Sequence, residues 1–99
     1  MSYTLLYHPL VSTDDIPSIP RNLQRRRAKA IESRLMTAPK RYGEPLRASG
    51  KGYWKLRVGD YRVVYKIVRQ EVWILAILHR KRVYEAVLPR HGWEPPDTD

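Results

Sequence analysis

Tyr53-Trp54-Lys55-Leu56-Arg57-Val58-Gly59-Asp60-Tyr61-Arg62-Val63-Val64-Tyr65-Lys66-Ile67 reads as two β-strands joined by a two-residue turn. Gly followed by Asp between β-branched and aromatic runs is a hairpin signal, because Gly tolerates the positive φ of primed turns. With Gly59-Asp60 as the loop, counting outward pairs Val58 with Tyr61, Arg57 with Arg62, Leu56 with Val63, Lys55 with Val64 and Trp54 with Tyr65. Alternate residues point to opposite sides of a sheet. Trp54, Leu56, Val58, Tyr61, Val63, Tyr65 and Ile67 therefore form a core face. Tyr53, Lys55, Arg57, Arg62, Val64 and Lys66 take the other face. Arg57 and Arg62 lie directly across from one another, an arrangement that destabilises a sheet. A sequence that keeps this cost has an anion to place between the two guanidiniums.

Working outward from the hairpin, Val72 to His79 is an almost continuous apolar run with the composition of a central strand. The connection Arg69-Gln70-Glu71 lacks Gly and leaves the register of this strand open. If Gln70-Glu71 is the loop, His79 falls beside Arg62 and Arg80 points away; a bulge or another loop reverses this. Arg82 to Leu88 is a last short strand or turn. From Pro89 the residues Gly92, Pro95 and Pro96 imply a loose tail over 89–99, with Trp93 as its one docking side chain. Residues 1–88 are expected to form the single domain.

Upstream, Lys40 to Gly52 is a Gly- and Pro-punctuated loop that rests Tyr42 and Leu46 on the core. Pro20 suits the first turn of a helix from Arg21 to Met36. Leu23, Ala30, Ile31 and Leu35 line its apolar stripe, and the stem of Arg27 fills the gap. Arg21, Arg25, Lys29 and Glu32 take the wet side, where a partner chain has room to lie. The run Arg25-Arg26-Arg27 is read as a solvated face. Val11 to Ile19 allows a short helical turn capped by Ser12 or Thr13. Tyr3 to His8 alternates as a first strand ended by Pro9. The order strand, helix, three antiparallel strands gives an α+β fold. Its small sheet of about four strands is packed on one face by the N-terminal helices. The opposite face is expected to be open, concave and basic.

Charge points the same way. The chain has 19 Lys and Arg against 10 Asp and Glu, a net charge of +9. That exceeds the magnitude of roughly 2–8 usual for a small soluble domain. Residues 40–69 hold nine basic side chains and two acids, Glu44 and Asp60. Such a surface favours nucleic acid, an anionic membrane or an acidic protein. There is no cysteine, which excludes disulfide and thiolate chemistry. No stretch has the length and apolarity of a membrane span, and the N-terminus has no signal-peptide pattern, so a cytoplasmic protein without a membrane partner is expected. No His, Asp or Glu cluster has ligand spacing and no Gly-rich loop opens a helix, so neither metal nor cofactor is expected.

The meander Gly52 to Tyr65, followed by His79-Arg80-Lys81-Arg82-Val83-Tyr84, resembles the RelE/ParE toxins of bacterial type II toxin–antitoxin systems. The helix Leu23 to Leu35 and the proline-bounded loop after it fit the same β-α-α-β-β-β pattern. The resemblance spans residues 3 to 88. For the cleaving branch it implies a metal-free endoribonuclease, an mRNA interferase acting in the ribosomal A site and so blocking translation. There the 2′-hydroxyl attacks the adjacent phosphate, leaving a 2′,3′-cyclic phosphate. Lys55, Arg62, Arg80 and Tyr84 match the family's active positions, with Arg57 beside them. One position departs: the best-known ribosome-dependent members carry a Lys two residues before Lys55, where this chain has Tyr53. The resemblance also implies a cognate antitoxin, bound in a hetero-oligomer. The same fold serves toxins that inhibit DNA gyrase without cleaving RNA, and a silent RNA-binding member is a third reading.

The chemistry can be assigned from the residues as well. Arg stays protonated and cannot act as a base. Arg62 and Arg80 are therefore assigned to the phosphate, and proton transfer to Tyr84, to Lys55 and, as a spare, to His79. Tyr53 is expected to stack on a base, with Lys66 beside it on the same face. Bland alternatives stand beside these: Tyr84 as core rim, Lys55 as a plain surface residue, His79 as a packed strand end, Tyr53 as cover for the sheet edge.

Overall fold

A computed structural model describes residues 2–46 and 52–96. Its elements are β1 (Thr4–Tyr7), α1 (Arg21–Thr37), α2 (Pro39–Tyr42), β2 (Glu44–Pro45), β3 (Tyr53–Val58), β4 (Tyr61–Val68), β5 (Glu71–His79) and α3 (Val83–Arg90). A π-helical turn (Val11–Asp15) and a 3₁₀ turn (Ile16–Ser18) connect β1 to α1. Neither turn has a side-chain cap, so Ser12 and Thr13 do not cap here. Of the loop expected over Lys40 to Gly52, residues 40–42 lie in α2 and 44–45 form β2, which pairs with β3, while 47–51 lie outside the described residues. Among the described residues no helix is long and apolar enough to cross a membrane.

The five strands form one sheet in the order β1-β5-β4-β3-β2. It is antiparallel except where β1 runs parallel to β5. The β3–β4 register is the one counted from the turn, from Tyr53 opposite Lys66 to Val58 opposite Tyr61. Gly59 has φ of +59° while Asp60 does not share the positive sign, the pattern of a II′ turn. The second turn, Arg69-Gln70, places Arg69 at φ of +56°, a left-handed conformation that costs an L side chain roughly 1–2 kcal/mol. That turn carries no residue type announcing it.

The core face is as the alternation requires. Leu56, Val58, Val63 and Tyr65 pack with Val72, Ile74 and Ile77 under Ile31 and Leu35 of α1. Leu23 packs at the edge of this cluster. Arg27 does more than fill a gap. Its Nη1 donates to Val58 O at 2.7 Å and its guanidinium lies 5.0 Å from the Tyr61 ring. A side chain from the wet run thus ties α1 to the hairpin turn, whereas Arg25 and Arg26 are exposed as expected.

A bulge in β5 breaks the alternation. Val64 pairs with Ala76 but Tyr65 pairs with Ile74, leaving Leu75 over. The extra residue lets both Ile74 and Ile77 reach the α1 side, while Leu75 turns to the other face. It also sets the open register. Arg62 faces Leu78, and His79 faces Tyr61 on the α1 side, its ring edge-on at 5.7 Å.

The opposite face is not wholly open. Residues 83–90 are α3 rather than a strand or turn, and Val83 and Val87 bury against Leu46, Tyr53, Val64 and Leu75. The short i, i+4 apolar pair finds its partner in the Leu75 side of the bulge, and that tertiary contact decides for a helix. Leu46 rests on this second cluster, whereas Tyr42 is exposed beside Arg34. The chain after α3 is tied down as well. Arg90 is buried, and Trp93 packs on His8 and Trp73. The expected loose tail from Pro89 is therefore docked through the residues described.

Two positions yield predictions. The Tyr65 hydroxyl donates to Pro39 O at 2.6 Å, and a Cβ at Gly43 would collide with that hydroxyl. Gly43→Ala is expected to lower stability by about 1–3 kcal/mol, the range for overpacking a filled core, measured by urea unfolding. His8 has its basicity lowered by burial, then by Arg90, with Asp15 opposing. It stays neutral in the folded chain at pH values where the unfolded chain begins to bind the proton. Its contribution to stability is present above the ordinary value of 6.5 and is lost as pH falls below it. The midpoint of unfolding should thus fall as pH is lowered below 6.5, and His8→Gln should flatten that slope.

Candidate active site

β3 presents Lys55 and Arg57 on the face opposite α1, and β4 presents Arg62 directly across from Arg57. The sequence puts them there by parity alone, since each lies one residue off the core alternation. Neither arginine forms an ion pair among the described residues; the two ion pairs there are Lys55–Glu44 and Arg90–Asp15. Arg62 Nη1 instead donates to the carbonyls of Gly59 at 3.1 Å and Tyr61 at 3.0 Å. The cross-strand repulsion inferred from the sequence is thus unrelieved by any carboxylate nearby.

α3 brings the next group in. Tyr84 is 47% exposed, and its hydroxyl oxygen lies 3.5 Å from Lys55 Nζ, at the outer limit of a hydrogen bond. Glu44, opposite Lys55 in the β2–β3 register, approaches the same ammonium at 3.5 Å. Lys55 therefore stands between a carboxylate and a phenol, donating to acceptors on two neighbouring elements. Arg80 is exposed just past β5, and its amide donates to Asp60 O at 2.8 Å, which ties it to the hairpin turn. With the bulge at Leu75, Leu78 lies opposite Arg62 and His79 opposite Tyr61, and Arg80 follows in the turn beyond β5.

Two expected contacts lie elsewhere. Tyr53 does not offer its ring for stacking: it is 4% exposed, its hydroxyl accepts the Gly92 amide at 3.0 Å, and His91 lies 5.1 Å away. α3 and the segment after it cover this ring, and a covering helix was absent from the sequence reading. Lys66 points over the same ring, its Nζ 5.8 Å from the centroid. His79 is separated from Arg62 by the sheet, and its Nδ1 accepts the Lys81 amide at 3.2 Å.

Sequence reasoning missed two residues behind the site. Asp15 is fully buried and pairs with Arg90, Oδ2 to Nη1 at 2.7 Å and Oδ1 to Nη2 at 3.0 Å. Asp15 Oδ2 also accepts the Ile77 amide at 2.9 Å, and Arg90 Nη1 donates to Leu75 O at 3.1 Å. β1 covers β5 only as far as Ile74, so this pair satisfies the backbone edge that β1 leaves. No local pattern links positions so far apart in the chain.

The basic sheet face, closed at one side by a helix that brings a phenol to a lysine, belongs to a small α+β protein with an open sheet. That architecture is shared with solved toxins. The chain is similar to the toxin–antitoxin complex RelBE2 from Mycobacterium tuberculosis, with 28% identity, 81% of this chain and 100% of that chain covered, and a TM-score of 0.73. A mutant of the E. coli toxin RelE in the free state shares the fold at 17% identity, 92% and 99% coverage and a TM-score of 0.67. The RelB–RelE antitoxin–toxin complex from Methanococcus jannaschii does so at 20% identity, 81% and 95% coverage and a TM-score of 0.63. No match was found among the curated proteins. The family model described as ParE toxin of type II toxin–antitoxin system, parDE, matches residues 5–84. The chain belongs to this RelE/ParE family of type II toxin–antitoxin toxins.

Proposed function

We propose that this toxin is a metal-independent endoribonuclease that cuts mRNA in the ribosomal A site and is held inactive by a cognate antitoxin. One observation carries the reading: Lys55 Nζ and Tyr84 OH stand 3.5 Å apart on the face that carries the unpaired Arg57 and Arg62. The attack forms a bond between the 2′-oxygen and phosphorus and breaks the bond to the 5′-oxygen. The 2′-hydroxyl loses a proton and the departing 5′-oxygen gains one, so a proton-carrying group must stand beside the phosphate. Tyr84 is that group, and the Lys55 ammonium steadies its oxygen as charge moves. Arg57 and Arg62 hold the phosphate and, with Arg80, offset the charge that grows on its equatorial oxygens.

Primer extension on a translated mRNA tests this. The wild type should cut within codons and leave 2′,3′-cyclic phosphate ends, and Arg62→Ala should not cut. Undiminished cutting by the variant would remove the reading.

A second reading has its own support. The matching family model is that of ParE toxins, and Tyr53 is buried where cleaving relatives have a second lysine. A non-enzymatic toxin of this kind would bind gyrase through the same basic face. Double-strand DNA breaks in cells without mRNA cuts would favour it, and normal supercoiling by purified gyrase would exclude it.

A further inference from the structure

α3 spans eight residues, about 12 Å of helix, and crosses three strands, about 10 Å of sheet. Its first turn delivers Tyr84 to Lys55 on β3, and its last residue, Arg90, reaches Leu75 O on the far edge of β5. Between these ends the helix touches the sheet through Val83 and Val87, one turn apart. Two valines in line set the height of a helix but resist its roll weakly. Tyr84, about 100° around the axis from Val83, moves most when the helix rolls. Pro89 removes one amide from the last turn, so the helix end lacks one rung of its own ladder.

What resists the roll is the forked pair at the end of the same stripe. Asp15 and Arg90 meet through two parallel contacts of 2.7 and 3.0 Å, both side chains buried. A planar bidentate pair fixes direction as well as distance. Its outer atoms are anchored in turn to Ile77 N and Leu75 O of β5. We propose that Asp15 and Arg90 are positioning residues, a buried latch that fixes the roll of α3 and so holds the Tyr84 hydroxyl over Lys55. The catalytic part of this inference rests on the ribonuclease reading above; the geometric part does not.

The test separates the two. Asp15→Asn keeps the shape and removes the charge, and Arg90→Lys keeps a cation but loses the fork; the second variant serves should the first fail to fold. 3-Fluorotyrosine at position 84 reports the contact by ¹⁹F resonance, with Lys55→Met giving the position of the released ring. In either latch variant the resonance should move toward the Lys55→Met position, and amides 83–90 should exchange faster while those of β3 and β4 stay protected. In single-turnover cleavage kcat should fall about 10²-fold, the scale for a misplaced reacting group, with KM near its original value because Arg57 and Arg62 remain on the sheet. An unmoved resonance in both variants overturns the latch, as does a moved resonance with unchanged kcat. Loss of protection spread evenly over α3 and the sheet, with no excess at 83–90, also overturns it, because the pair would then be a plain stability element. If the wild type does not cut RNA, the ribonuclease reading fails and the resonance and exchange data still decide whether the latch holds α3.

Discussion

Tyr84→Phe should cut RNA about 10²–10⁴-fold more slowly than the wild type, the range spanned by loss of a positioned proton-transfer group. The substitution removes one oxygen from an exposed side chain, so the fold should be unaffected. KM should change little, because the phosphate contacts come from Arg57 and Arg62 on strands the change does not touch. A variant that binds substrate normally and fails in chemistry has lost an interaction made in the transition state. Single-turnover cleavage of a short ribonucleotide positioned on programmed ribosomes measures both quantities. Growth arrest on expression should disappear in parallel, and its persistence would move the toxicity to a target other than RNA.

The largest loss of stability should come from Asp15→Ala. The change leaves the Arg90 guanidinium buried without its carboxylate and strips the Ile77 amide of its acceptor. Removing one partner of a buried pair costs about 3–5 kcal/mol, a large part of the total stability of roughly 5–15 kcal/mol available to a domain. The pair as a whole contributes less than this figure, since both charges were first taken out of water. The double change Asp15→Leu/Arg90→Met should therefore be less damaging than either single removal, and a double-mutant cycle in urea unfolding would give the coupling.

The hairpin was legible to the residue. A Gly-Asp turn between alternating strands admits one register that gathers Trp54, Leu56, Val58, Tyr61, Val63, Tyr65 and Ile67 on one face, and a slip by one residue would turn a strand's share of them to the other. The Arg57/Arg62 juxtaposition follows from the same count, α1 is legible in its apolar stripe, and the interior place of β5 in its apolar run. Beyond that, the decisive features are not local. The Arg69-Gln70 turn bends through a non-glycine residue, so nothing in its composition marks it. The surplus Leu75 is chemically indistinguishable from its strand neighbours, yet it decides whether His79 shares the side of Arg62. α3 is short, contains Pro89 and owes its helicity to the surface beneath it, and without that helix the sequence leaves Tyr53 open between stacking on a base and covering the sheet edge. Lys55 and Tyr84 were chosen for their chemistry and their match to the family, and the fold brings them together. Asp15 passed as one of two acids in a turn because its partner lies at the other end of the chain.

The bonds from Asp15 and Arg90 to Ile77 N and Leu75 O have a meaning for how copies of this toxin coexist. A sheet that stops with bare amides and carbonyls is a template on which another molecule can continue the ladder, and stacked growth of that kind ends in fibrils. Along the part of β5 that β1 does not reach, a buried carboxylate and guanidinium occupy two of those groups, Ile77 N and Leu75 O, and no incoming chain can displace them without separating two charges in a dry interior. The molecule therefore closes its own flank with side chains where many proteins would add a strand.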